Sequence, residues 1–113
     1  MQYFLPGATL EQPRVSQGGP DITKIVSGKA EGIGVNSLLV VVYAKAGGKW
    51  WVQPTTDSPF TKIEGGQWQN ETHLGLQYAA LLVTKDFKPS NTLNTLPQPD
   101  AKVKAIAVVN AAK

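Results

Sequence analysis

The chain contains no cysteine, which excludes a disulfide framework and thiolate metal sites, although a domain of this size folds without either. Histidine occurs once, at His73, and the eight acids stand apart at Glu11, Asp21, Glu31, Asp57, Glu64, Glu71, Asp86 and Asp100. Catalysis needs converging titratable or nucleophilic groups, and nothing in this spacing brings two carboxylates together as glycoside hydrolysis requires. His73 beside Glu71 reads as a solvated residue leaving a strand. The expectation is a protein that is not an enzyme.

Long apolar runs are also missing: the longest, Leu38 to Ala44, falls far short of the ~20 residues that span a bilayer and suits a buried strand. Met1 to Leu10 shows no basic stretch followed by an apolar one, so no signal peptide is visible, and an exported parent would make this chain an excised module. Gly32-Ile33-Gly34 lacks the third glycine and the following helix of a phosphate cradle and reads as a turn. Thr56, Asp57 and Ser58 could offer oxygens to a structural calcium ion, but without the dense acidic spacing of a dedicated loop. No cofactor is expected. Eleven basic against eight acidic residues give a net charge of +3, and the lysines are scattered from Lys24 to Lys113 rather than blocked. That balance does not call for nucleic acid.

What is abundant is turn-forming residues, eleven glycines and eight prolines in 113 residues, which favours many short strands over long helices. The length fits one domain, residues 1–113, with one sizeable core and not two. Residues 1–20, rich in Pro and Gly, read as an irregular lead-in with room for one edge strand. Ile22 to Ala30 reads as a strand, and Leu38 to Lys45 as the strongest one, β-branched, buried on at least one face and central in its sheet. Gly47-Gly48 then turns the chain tightly into Lys49-Trp50-Trp51-Val52-Gln53. Phe60 to Ile63 and Gln67 to Thr72 suggest a second hairpin around Gly65-Gly66, and Gln77 to Thr84 and Val103 to Val109 complete the set. Ser90 to Asp100, with no regular pattern, is expected to be a long surface loop. The fold class that follows is all-β, a two-sheet antiparallel β-sandwich of immunoglobulin-like type.

The distinctive feature is aromatic. Trp50, Trp51 and Trp68, with Tyr43 and Tyr78, are interleaved with Gln53, Gln67, Gln69, Asn70 and Gln77. A pyranose ring has an apolar C–H face and a rim of hydroxyls, so a flat aromatic ring stacks on the face while amides and lysines bond the rim. Alternation along a strand sends Trp50 and Trp51 to opposite faces. Val52 keeps company with Trp50, and Lys49 and Gln53 with Trp51, which points Trp51 outward and Trp50 inward. A three-residue loop would set Tyr43 opposite Trp51, whereas a two-residue turn sets Tyr43 opposite Val52 and Ala44 opposite Trp51, and the sequence leaves both open. Trp68 between two glutamines suits either core or binding face, and Tyr78 suits packing with its hydroxyl at the rim.

Val42-Tyr43-Ala44-Lys45, Gly48 to Pro54, Gly66-Gln67-Trp68 and Tyr78 to Val83 together resemble the small β-sandwich modules appended to secreted bacterial glycoside hydrolases. The similarity is closest to the family 81 carbohydrate-binding modules and covers roughly residues 22–110. The resemblance implies a secreted, monomeric, non-catalytic module, without nucleic-acid or membrane partners, that holds a glycoside hydrolase catalytic domain of the same parent chain on plant cell-wall β-glucan. Implied ligands are cello-oligosaccharides, mixed-linkage glucan and xyloglucan on a planar sheet face. The candidate contacts are Trp51, Trp50, Trp68, Tyr43, Gln53, Lys49, Asn70 and Tyr78. Two rival readings are a structural immunoglobulin-like spacer with every tryptophan in the core, and a single-stranded nucleic-acid binder that stacks bases on its aromatics.

Overall fold

A computed structural model describes residues 9–17, 23–32, 34–53 and 59–110. Ten strands follow in chain order: β1 Thr9–Leu10, β2 Arg14–Gln17, β3 Thr23–Glu31, β4 Leu39–Ala46, β5 Lys49–Gln53, β6 Thr61–Lys62, β7 Gln67–His73, β8 Gln77–Val83, β9 Thr92–Leu93 and β10 Val103–Asn110. Among the described residues the one helical element is a 3-10 turn at Val35–Ser37. The expected all-β, two-sheet antiparallel sandwich is what forms. In sheet I, β1 and β2 lie end to end along one edge of β3 while β7 pairs with the other. In sheet II the order is β10-β8-β4-β5-β9, with β6 continuing the line of β5 along β4. The residues read as a lead-in thus supply two short edge pieces rather than one.

β4 and β8 explain the architecture. Neither alternates: Val40 to Ala44 and Tyr78 to Val83 are buried without interruption, so sheet II is covered on both faces. On the face toward sheet I, Val40, Val42, Ala44, Tyr78, Ala80 and Leu82 meet Val26, Ala30 and Trp68. On the opposite face, Val41, Tyr43, Trp50, Val52, Ala79, Leu81 and Val83 form a second cluster under Phe87, Leu93 and Leu96. This overturns two expectations, a single core and a merely superficial loop at Ser90 to Asp100. The segment between β8 and β10 is a cover. Its apolar side chains are too sparse to show a periodicity, yet they close a face that β4 and β8 could not leave in water.

The cover is stitched down along its length. β9 pairs with β5 through Trp50 opposite Leu93 and Trp51 opposite Thr92, and Val52 N–H donates to the Asn91 carbonyl at 3.0 Å. Tyr43, fully buried, donates its hydroxyl to the Ser90 carbonyl at 2.8 Å. At its far end, Asp100 Oδ1 accepts from the backbone N–H of Lys102 (2.8 Å) and Val103 (2.9 Å), and these bonds hold its carboxyl below the ordinary carboxylate range. Thr84 hydrogen-bonds Asp86, whose carboxylate also faces Lys102 at 3.8 Å. On the other edge of sheet II, the Gln12 side chain donates to the Val108 carbonyl of β10 at 2.6 Å, across 96 positions of sequence.

Burial pushes the Tyr43 hydroxyl up to about 12 from its ordinary 10.0. The folded state therefore holds its proton more tightly than the unfolded chain does, so the stabilisation is complete below pH 10 and is lost as pH rises toward 12. Urea titrations across that window should show stability falling in the wild type and falling less in Tyr43→Phe. At neutral pH the same variant should lose about 1 kcal/mol with its hydrogen bond to Ser90.

Candidate functional site

The turn at Gly47-Gly48 has two residues, both at positive φ (62° and 79°), a conformation in which a side chain would be strained. It sets Ala46 opposite Lys49, Lys45 opposite Trp50, Ala44 opposite Trp51 and Tyr43 opposite Val52. Of the two registers open at the sequence level, the one that separates Tyr43 from Trp51 is therefore realised. Tyr43 and Trp50 share the face beneath the cover; Lys49, Trp51 and Gln53 share the face toward sheet I.

The aromatic rings divide accordingly. Trp50 is 6% exposed, flanked in the sheet by its partner Leu93, with Lys45 Nζ 5.5 Å from its ring centre. Its interior is the space under the cover and not the space between the sheets. Trp68 is 3% exposed, and its indole lies across Gly28, its partner on β3. A Cβ there would sit 3.0 Å from the ring, so glycine makes room for the tryptophan. Tyr78 is buried, its hydroxyl accepting the Gly75 N–H at 3.0 Å. Burial removes Tyr43, Trp50, Trp68 and Tyr78 from any contact surface of the folded chain.

Trp51 alone among these five rings is open, at 46%. It lies on the face toward sheet I, but two positions along β5 from Gln53, where β7 ends at His73. Beyond that point the chain 74–76 crosses over Ala44, the partner of Trp51, since a Cβ on Gly75 would come 3.2 Å from Ala44 Cβ. Leu74 and Leu76 project from this crossing into solvent. The Trp51 indole N–H donates to the Ala46 carbonyl at 2.9 Å. The polar handle of the ring is engaged internally and its apolar body is presented outward.

The amides behave differently from their expected role as rim contacts. Gln53 is buried, and its Oε1 accepts the His73 backbone N–H at 2.9 Å while facing His73 Nδ1 at 3.1 Å. Asn70 is buried as well, donating to Thr61 Oγ1 at 2.9 Å and to the Gln53 carbonyl at 3.4 Å. Together they tie β5, β6 and β7 at the corner where the sheets meet. Trp68 Nε1 and Asn70 Oδ1 have no partner among the described residues. Lys49, exposed and on the Trp51 face, is the one candidate polar residue of β5 left available. Thr56, Asp57 and Ser58 lie outside the described residues, and among the described ones no three His, Cys, Asp or Glu side chains cluster as metal ligands.

A groove missed by the sequence reading lies on the outward face of sheet I, with a volume of about 690 Å³. Its signal was present in the alternation of Gln67, Gln69 and Glu71 with buried Trp68, Asn70 and Thr72.

Gln53→Leu should cost about 1–3 kcal/mol in urea unfolding, because it leaves the His73 N–H at the sheet junction without its acceptor. Lys49→Ala should be neutral to within about 0.5 kcal/mol in the same measurement, as expected of an exposed side chain. No protein-family model matches the chain, and neither a curated protein nor a solved structure gives a significant match.

Proposed function

We propose that the chain is a non-catalytic carbohydrate-binding module that takes a β-glucan chain against the exposed face of Trp51, with Lys49 bonding hydroxyls at the ring's side. One observation carries this reading: a large indole stands open at 46% while its only donor is bonded to Ala46. A ring held this way offers apolar surface and no hydrogen-bond demand of its own, which suits the C–H face of a flat, equatorially substituted glucose unit. Its backbone is paired on both sides, to Ala44 and to Thr92, so little ordering is required when a ligand docks. In this reading the protein performs no bond cleavage, is secreted from a bacterium as a monomer, and keeps an attached glycoside hydrolase on cello-oligosaccharide, mixed-linkage glucan or xyloglucan chains. The similarity to family 81 modules supports the ligand class. It does so through motifs whose other aromatic members serve the interior.

The burial of Trp50, Trp68, Tyr43 and Tyr78 favours a second reading, a spacer domain in which aromatics build the core and Trp51 is incidental. Affinity electrophoresis separates the two. Gels containing mixed-linkage β-glucan should retard the wild type, and Trp51→Ala should weaken retention at least about tenfold, or about 1.4 kcal/mol. The same variant should keep its urea midpoint to within about 1 kcal/mol of stability, the worth of one lost hydrogen bond. A wild type that runs unretarded in β-glucan, xyloglucan and hydroxyethyl cellulose gels alike would leave the spacer as the function.

A further inference from the structure

The groove on sheet I is built by strand register from four lines of chain. Gln67 is opposite Lys29 on β3 and opposite Glu64 on its own hairpin. Gln69 is opposite Ser27, and Ser27 opposite Arg14 of β2. Opposed residues of antiparallel strands share a face, so two rows cross the outside of the sheet, Glu64-Gln67-Lys29 and Gln69-Ser27-Arg14. Lys62, one alternation from Glu64 across buried Ile63, extends the second row, and Glu11, whose N–H donates to the Lys29 carbonyl, closes the first. Among the described residues none of Arg14, Lys29, Lys62, Glu11 and Glu64 is in an ion pair.

The chemistry differs from that at Trp51. The aromatic along the groove, Trp68, is 3% exposed and offers no ring face. Recognition there depends on hydrogen bonds and charge, and bonds to neutral hydroxyls compete poorly with water unless a charged or stacking anchor beside them already holds the ligand. Charge-assisted bonds are roughly twice as strong, and a guanidinium fits a carboxylate in a two-pronged fashion. The lining holds three cations against two carboxylates, with three amides, of which Gln12 donates to the Val108 carbonyl while Gln67 and Gln69 each offer a donor and an acceptor to the groove. A ligand that satisfies this set carries one carboxylate and several hydroxyls on a compact ring. We infer that the groove is a second saccharide site, for the uronate units of an acidic polysaccharide. Arg14, Lys29 or Lys62 meets the carboxylate, and Gln67, Gln69 and Glu64 meet the ring hydroxyls. From Val40, which pairs with Thr61 beside the groove, to Ala44, which pairs with Trp51, is four residues of β4, or about 13 Å. The two sites are therefore separable.

Electrophoresis in polygalacturonate gels at low ionic strength tests the assignment, with circular dichroism and urea unfolding to verify folding. The wild type should be retarded, and the double variant Gln67→Ala/Gln69→Ala, which leaves net charge unchanged, should lose retention at least about tenfold. Lys29→Gln should weaken it as well, and serves if the double variant is unstable. Trp51→Ala should be retarded by polygalacturonate like the wild type, while its retention by mixed-linkage glucan is lost. Failure of glucan binding thus leaves this inference standing, and the reverse. A wild type unretarded by polygalacturonate would overturn it. So would a double variant retarded as strongly as wild type, or dextran sulfate retarding wild type and double variant equally and as strongly as polygalacturonate retards the wild type. Either would reduce the effect to a net charge of +3 attracted to any polyanion.

Discussion

Two glycines at positive φ lock Ala46 opposite Lys49, and every pairing between β4 and β5 follows from that single closure. Because side chains alternate with a period of two, a turn longer by one residue would have set Tyr43 beside Trp51, a different partner on a different face. With the two-residue turn, Tyr43 and Trp50 both point away from sheet I, and the face that carries them must be covered. The segment from Thr84 to Lys102 answers that requirement. Its β9 strand, the Asn91 carbonyl and the Ser90 carbonyl all bond to β5 or to Tyr43. The hairpin therefore determines which side of the sheet the long connection must return to.

The same closure makes one tryptophan structural and the other accessible. Trp50 is enclosed by Leu93 and its neighbours, whereas Trp51 lies on the sandwich's inner face at a point beyond the described strands of sheet I. Exposure thus arises from the unequal extent of the two sheets and not from the outward direction of the side chain. That distinction separates a surface residue from a core position left open, whose indole N–H is here bonded to the Ala46 carbonyl.

Much of this was legible in the chain. The uninterrupted β-branched runs of β4 and β8, the double-glycine hairpins and the grouping of Lys49, Trp51 and Gln53 on one face could all be read from residue type and spacing. The fate of Gln53 could not. Polar company on a strand face reads as a sign of solvent, but Gln53 is buried because it satisfies a backbone N–H of β7, twenty positions away. Likewise Leu93 and Leu96 carry no pattern within their own segment and acquire meaning only from the apolar face that they close. Local periodicity reports which face a residue occupies, while long-range pairing decides what stands above that face.

The bond from Gln12 to the Val108 carbonyl joins places 96 residues apart, and β10 is held to the sheet by β8 on its other side. The first described strands and the last are thus interdependent. Nothing that emerges early from a ribosome can finish either edge alone, since β1 contacts β10 and β3 awaits β7. Chains whose pairings are this distant in sequence reach their native state on a scale of about milliseconds to seconds. Because β8 lies between β4 and β10, its two apolar faces and both its edges are complete only when the last described strand is in place.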